Sequence, residues 1–172
     1  MPEAFKLGFE PGPAIPSVAE QTTYVTVGAL RIGVEYRVLT DEIINNTEGI
    51  VATDDPAFRG FHSQGASLHI VDGATGAEHL RFDVFDDGPH YHYMDGQGGN
   101  RVVIYDVAGC GPMWDWVLTC LHERLPAMLT EAGAAALAQL VDAGEVAGAI
   151  PTIERLALAG IEQHAVVLEH SA

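Results

Sequence analysis

Basic residues are scarce in this chain, and their scarcity excludes several kinds of partner. Its 172 residues include 8 lysines and arginines against 24 aspartates and glutamates, which gives a formal net charge of -16. A protein that binds nucleic acid neutralises phosphates with clustered lysine and arginine, so the sequence predicts no nucleic-acid partner. The same negative charge argues against an anionic membrane surface. We therefore expect a small-molecule ligand or substrate.

Cysteines and long apolar runs are also rare. Cys110 and Cys120 are the only two cysteines. They are too few for a disulfide scaffold or a cysteine-rich zinc module, so a bound metal would depend on histidine and carboxylate ligands. No run approaches the roughly 20 apolar residues that a membrane span needs. Residues 1–6 contain neither a basic leader nor an apolar signal core. These absences favour a cytoplasmic protein with no membrane partner.

The rest of the composition is that of a globular chain, with 48% hydrophobic and 19% charged residues. This length and composition predict a single domain over residues 1–172. Four of the nine prolines fall in residues 1–22, which lack periodicity. We interpret this segment as an extended N-terminal arm that crosses the surface or reaches a second subunit. The long connection 40–65 is a candidate lid. The β-sheet part covers 23–108 and the helical part 109–172.

Alternating apolar and polar residues predict the strands. Segments 24–27 and 32–39 are rich in β-branched and aromatic residues, and two hairpins follow at 67–85 and 90–107. The apolar spacing then becomes helical, with later helices expected at 131–142 and 151–168. Strands followed by helices predict an α+β fold. We expect a curved antiparallel sheet of about six strands within 23–107, packed against a C-terminal helical layer at 112–170.

The first hairpin brings several polar residues to one face of the predicted sheet. Matching apolar residues across the turn pairs Leu68 with Phe82 and Ile70 with Leu80. Side chains alternate between the two faces of a strand, so this register groups the intervening polar residues on the opposite face. Those residues are His69, His79, Arg81 and Asp83.

The densest chemistry lies in the segment Pro89–Tyr93, where His90 and His92 are two residues apart on one strand. Their side chains share a face with Cα atoms about 6.5–7 Å apart. Two imidazoles at this spacing can converge on one ion at about 2.0–2.2 Å. Two histidines with one carboxylate suit Fe(II), whereas three histidines suit Zn or Mn. The alternative is a pair of partly buried, hydrogen-bonded histidines without an ion. Candidates for further ligands are His69, His79, Asp83, Asp95 and Gln97.

Two resemblances involve this segment. The His-x-His pair resembles the first metal motif of cupins, in which a glutamate or occasionally a glutamine follows after a few residues. Gln97 stands four intervening residues beyond His92, so the resemblance implies that it is a ligand. The second cupin motif has no counterpart, because the chain becomes helical after Val107. Phe82–Phe85 followed by Pro89–Tyr93 is also similar to the core of an uncharacterised bacterial family, which implies no activity.

Three hypotheses for function follow from these residues. The first is a small metal-dependent enzyme of oxygenase-like or isomerase/lyase type, with a divalent Fe, Mn or Zn ion on His90 and His92. The second is a metal-free binding or acid–base protein that uses the same face, with Asp83 and Tyr105 as candidate catalytic groups. The third is a non-catalytic subunit that forms a homodimer through the apolar helical face 156–161.

Overall fold

The computed structural model of the chain describes residues 7–46 and 62–169. Its centre is one open antiparallel sheet of six strands, in which each strand pairs with its neighbour in sequence. The strands are β1 Thr22–Val27, β2 Leu30–Thr40, β3 His62–Asp72, β4 Glu78–Phe85, β5 His90–Met94 and β6 Asn100–Ile104. The α+β fold predicted from the sequence is confirmed. Most of the predicted lid lies outside the described residues, since these omit 47–61.

Within the described residues, one short helix follows β2 and the other helices follow the sheet. They are α1 Asp41–Asn46, α2 Val107–Cys110, α3 Met113–Thr119, α4 Leu125–Glu131, α5 Ala135–Ala138 and α6 Ala143–Glu169. A π-helical segment, Cys120–Arg124, joins α3 to α4. None of the helices that the structure describes is long and apolar enough to cross a membrane.

The predicted boundaries of the later helices are wrong. Instead of one helix over 131–142, the chain leaves α4 through Gly133, whose φ of 84° is in the left-handed region that glycine adopts without strain. The last helix begins eight residues before Pro151, which lies inside it. Its start is stabilised by Asp142, because the carboxylate accepts a hydrogen bond from the backbone N–H of Glu145.

The two faces of the sheet differ in chemistry. One face is apolar and packs against the helices, with Phe82 fully buried at its centre. The Phe82 ring lies 6.3 Å from Tyr91 and 5.9 Å from Trp116, measured between ring centroids. The predicted pairs Leu68–Phe82 and Ile70–Leu80 are confirmed by the register of β3 and β4. The apolar side chains of the strands therefore face the helices, and the charged side chains face the other side of the sheet.

Replacing Phe82 with alanine is expected to lower the free energy of unfolding by about 3–5 kcal/mol, because it leaves a cavity between the sheet and the helices. Urea denaturation followed by circular dichroism measures the change. Leu158→Ala is the control, because Leu158 is 60% exposed and its loss should change stability by no more than about 0.5 kcal/mol. Equal effects of the two substitutions would contradict the assignment of this face as the core.

The charged face is crossed by the N-terminal arm, which we define as residues 7–21. The arm is joined to β6 through two backbone hydrogen bonds between Phe9 and Val102. Farther along, the carbonyl oxygen of Ile15 accepts from the Arg81 guanidinium on β4 at 2.6 Å. The backbone N–H of Val18 donates to a carboxylate on β2 at 3.2 Å. The arm thus spans from β6 to β2 over a row of buried polar side chains.

Candidate metal centre

Asp83, His90 and His92 meet on the charged face because β4 and β5 are adjacent antiparallel strands. Asp83 pairs with His90 in the register, and Arg81 pairs with His92. Residues two apart on a strand share a face, so both histidines lie beside the Asp83 carboxylate. The turn between the strands passes through Gly88, whose carbonyl oxygen lies 2.8 Å from His90 Nδ1.

The two imidazoles converge on a single carboxylate oxygen. His92 Nε2 lies 3.0 Å from Asp83 Oδ2, and His90 Nε2 lies 3.3 Å from the same atom. One potential ligand atom from each of the three residues lies within 4.8 Å of the others. Asp83 is 2% exposed and His92 is 6% exposed, whereas the His90 side chain is 19% exposed. The cluster is therefore buried except on the side of His90.

A second set of groups orients these three side chains. The Ser67 hydroxyl donates to Asp83 Oδ1, which leaves Oδ2 for the histidines. His92 Nδ1 lies 2.8 Å from Asn100 Oδ1 on β6. The Asn100 amide nitrogen donates to the Gly12 carbonyl oxygen in the arm at 3.1 Å. Histidine ligands in metal sites typically donate their second ring N–H to a carbonyl or carboxylate, and both rings have such a partner here.

The hydrogen-bond partners determine which ring nitrogens carry protons. Gly88 supplies a carbonyl oxygen, and the contact with Gly12 directs the oxygen of Asn100 towards His92. Each Nδ1 is therefore a donor, and a neutral ring would present a lone pair at Nε2. Two such lone pairs would repel the Asp83 carboxylate oxygen. The arrangement becomes favourable when positive charge among the three atoms, from protons or from a metal ion, balances the carboxylate.

Electrostatics keep the carboxylate charged. Burial alone would raise the pKa of Asp83, but hydrogen bonds with His90 and His92 hold that pKa well below its ordinary value. Burial would lower the pKa of His90, but its hydrogen bond with Asp83 outweighs burial and raises that pKa. An ionised carboxylate beside two imidazoles attracts cations, whether protons or a metal ion.

The predicted candidate His69 lies on the same face but belongs to a separate network. Its Nδ1 lies 2.7 Å from Glu78 Oε1, and its Nε2 lies 3.1 Å from Glu35 Oε2. Burial lowers the pKa of His69, but its hydrogen bonds with Glu35 and Glu78 outweigh burial and raise it. Arg81 donates to the same Glu78 carboxylate at 2.9 and 2.7 Å. Both nitrogens of His69 therefore have carboxylate partners, and neither is directed at Asp83.

The other predicted site residues lie elsewhere. A bulge between Ile70 and Val71 shifts the register, so Glu78 rather than His79 lies beside His69. His79 Nδ1 instead lies 3.3 Å from the Met94 carbonyl oxygen. Gln97 is exposed in the turn between β5 and β6, where its backbone N–H donates to Asp95.

Tyr105 is on the opposite side of the sheet from Asp83. It follows β6 on the apolar face, where its ring lies 5.1 Å from Trp116, and its hydroxyl donates to the carbonyl oxygen of Cys110 at 3.2 Å. It cannot act together with Asp83 in this arrangement, so the hypothesis that pairs them as catalytic groups does not fit the fold.

Several members of the charged face were not predicted from the sequence, among them Glu35, Ser67, Glu78 and Asn100. Strand pairing places Ser67 opposite Asp83 and Glu35 opposite Ser67, so an extended register argument would have found both. The place of Glu78 beside His69 could not be predicted, because it depends on the bulge between Ile70 and Val71. Val102 pairs with His92 and so faces the same side of the sheet. Asn100 lies two residues from Val102 on the same strand, and therefore its side chain is on the same face as that of His92.

Asp83, His90 and His92 are a donor set suited to a divalent transition metal. Among the described residues they are the one group of three or more His, Cys, Asp or Glu side chains with this mutual spacing. Two histidines and one carboxylate with open positions are typical of non-haem Fe(II) sites, and imidazole and carboxylate also suit Zn and Mn. The residues that could hold an ion are thus two predicted histidines and Asp83, without His69, His79 or Gln97.

Comparison with known proteins gives a family without an assigned activity. No curated protein and no solved structure matches the chain. The likeness to the first cupin motif is not confirmed by these comparisons. The model of the family described as domain of unknown function DUF7700 matches residues 24–157, a range that contains Asp83, His90 and His92. The match covers most of the chain, and the protein therefore belongs to this uncharacterised family.

Proposed function

We propose that this protein is a small metal-dependent enzyme whose divalent ion is bound by Asp83, His90 and His92. One observation carries the proposal: two imidazole Nε2 atoms point at one oxygen of a buried carboxylate. Each ring is also anchored through Nδ1 to an acceptor, as a ligating histidine is. A metal ion among the three atoms satisfies the two lone pairs and the carboxylate charge together.

The number of ligands supports a catalytic rather than a purely structural ion. Structural zinc is almost always held by four protein ligands, whereas catalytic sites keep positions open for water or substrate. Three protein ligands leave such positions here, and the partly exposed His90 marks the side from which a small molecule approaches. A divalent ion supplies Lewis acidity, activation of water or, as Fe(II), reactivity towards dioxygen. Oxygenase-like and isomerase or lyase reactions are the classes that we propose.

The chain's own residues maintain the donor set. Ser67 fixes the Asp83 carboxylate by donating to Oδ1. Asn100 and the Gly88 carbonyl orient the two rings. The low pKa of Asp83 keeps it ionised throughout the physiological range. These contacts pre-organise the site, so little side-chain freedom is lost when an ion binds.

A metal-free acid–base or ligand-binding protein is the second candidate. The separations of 3.0 and 3.3 Å between Asp83 and the two rings are also those of hydrogen bonds. Burial lowers the pKa of His90, but its hydrogen bond with Asp83 outweighs burial and raises that pKa, and a histidine beside a carboxylate is a common general acid or base. In this case protons rather than a metal ion balance the Asp83 charge.

The double substitution His90→Ala/His92→Ala separates these candidates. Wild-type protein, purified without an affinity tag and incubated with Fe(II), Mn or Zn, is expected to retain about one equivalent of ion by elemental mass spectrometry, because three protein ligands are present. The double variant should retain only background metal. His62→Ala/His122→Ala removes two exposed histidines and should retain the wild-type amount. Wild-type protein that retains none of these ions would exclude the metal site and leave the acid–base candidate.

A further inference from the structure

Asn100 connects the N-terminal arm to the inner histidine of the proposed metal site. Its side chain is buried, with 9% of the residue exposed. The amide nitrogen donates to the Gly12 carbonyl oxygen at 3.1 Å, and the amide oxygen accepts from His92 Nδ1 at 2.8 Å. One planar amide group therefore touches the arm on one side and a proposed ligand on the other.

The contact with Gly12 has a consequence for His92 because an amide can rotate. With the arm in place, the carbonyl of Gly12 requires the N–H₂ group of Asn100, and the amide oxygen must face the ring. That orientation holds the proton on Nδ1 and leaves Nε2 able to bind a metal ion. Without Gly12, the amide can turn and present N–H₂ to the ring. The ring then places its proton on Nε2 and loses its ligand lone pair.

The position of Gly12 is set by the arm as a whole. On one side of it, Phe9 exchanges two backbone hydrogen bonds with Val102 on β6, at 3.0 and 2.8 Å. On the other side, Ile15 accepts from Arg81, and Val18 donates to Glu35. Docking of the arm and orientation of Asn100 are thus parts of one arrangement.

We infer that Asn100 is a positioning residue through which docking of the N-terminal arm controls metal affinity at Asp83, His90 and His92. The inference rests on the proposed function, and it adds regulation of that same site. Coupling between two binding events is reciprocal, so the ion must stabilise the docked arm by the same factor by which the arm strengthens ion binding.

Gly8→Ala tests the inference at a distance from the site. Gly8 has a φ of 90°, and an added Cβ would lie 2.3 Å from the carbonyl oxygen of Val102. The substitution should lift the arm from β6 without touching any proposed ligand. We expect Co(II) affinity, measured by optical titration, to fall by about tenfold, the lower end of the effect of losing an outer partner of a metal ligand. Gly76→Ala is the matched control, because Gly76 has a φ of 77° and nothing within 4 Å of an added Cβ.

Variants of Asn100 show whether the effect passes through its amide. Asn100→Asp keeps an acceptor for His92 but loses the donor to Gly12, so it should preserve Co(II) binding and make it insensitive to Gly8→Ala. Asn100→Ala loses both contacts and should weaken binding by at least about tenfold. A general structural weakening would lower affinity to the same extent in Asn100→Asp and Asn100→Ala, and Gly8→Ala would weaken both further.

Hydrogen exchange tests the reciprocal effect in the wild-type protein. Co(II) should slow exchange of the amides of Phe9 and Val18, which both donate from the arm, by the same factor of about ten. Wild-type protein that binds Co(II) with unchanged arm exchange, and with equal affinity in Gly8→Ala, would overturn the coupling and leave the metal site intact. If Gly8→Ala fails to fold, the Asn100 variants and the hydrogen-exchange measurement test the coupling between arm docking and metal affinity. Wild-type protein that binds no Co(II) would overturn both proposals.

Discussion

Asp83→Asn is expected to weaken Zn(II) or Fe(II) binding by more than the roughly 10–100-fold that loss of an outer partner costs, because it removes the only anionic group among the three proposed ligands. It should also destabilise the metal-free protein by about 3–5 kcal/mol, the usual effect of breaking a buried ion pair. Asp83 is 2% exposed, and an amide in its place leaves His90 and His92 without a charged partner. Metal titration and urea denaturation in the presence of a chelator measure the two effects.

The control is Asp87→Asn, which removes one negative charge from an exposed position in the turn after β4. It should change neither metal affinity nor stability appreciably, since an isolated surface charge contributes little. If Asp83→Asn lowers stability but leaves metal affinity at the wild-type value, the ion binds elsewhere. The three-residue site would then be a buried hydrogen-bonded cluster, as the metal-free candidate requires.

The sheet could be predicted from the sequence because its alternation is regular. Apolar residues at Leu68, Ile70, Leu80 and Phe82 specify both the strands and their register, and a slip of one residue would turn every one of them away from the helices. The same alternation placed His90, His92 and Asp83 together on the other face. The sheet and the three residues that meet on its charged face are thus consequences of the same two-residue period.

The parts that the sequence did not predict depend on local breaks in that period. The bulge between Ile70 and Val71 brings Glu78 into the place expected for His79. Ala, Leu and Gln around Gly133 favour helix throughout 131–142. The chain instead turns at Gly133, forms only the short helix α5 in this range, and begins α6 after the Asp142 cap. The arm has no periodicity at all, and its contacts with the charged face arise only in three dimensions.

The network around His69 predicts how stability depends on pH in the metal-free protein. Hydrogen bonds with Glu35 and Glu78 raise the folded-state pKa of His69 despite burial, and the pKa of His90 is raised as well. A group with a raised pKa contributes stability below its unfolded value, about 6.5 for histidine, and loses that contribution as pH rises through the folded value. The free energy of unfolding should therefore decrease as the pH rises above about 6.5, by at most about 1.4 kcal/mol per pH unit for each histidine.

At acid pH the free energy of unfolding is expected to change with pH in the opposite direction, increasing as the pH rises. Burial would raise the pKa of Glu78, but hydrogen bonds from Arg81 and His69 lower it to about 2. The pKa of Asp83 is lowered too, although burial opposes this. Lowered carboxylate pKa values contribute stability above their unfolded values, near 4, and that contribution is lost as pH falls through the folded values. Maximal stability is thus expected between about pH 5 and 6.5, where both contributions are present.

Glu35→Gln tests the contribution of His69, because it removes one of the two carboxylates on that ring while keeping the size of the side chain and an oxygen that can accept from Val18. Glu35 is 1% exposed, so the loss should be about 3 kcal/mol below pH 6. This loss of stability should become smaller at higher pH, because a neutral His69 is stabilised less by two anionic partners than a protonated one. Glu131→Gln is the control, since Glu131 is 54% exposed in its pair with Arg101. Urea denaturation below and above pH 6, in the presence of a chelator, measures the effects of the two substitutions. A constant difference between wild type and Glu35→Gln at every pH would contradict the prediction, because it would show that folded His69 does not change its protonation across that range.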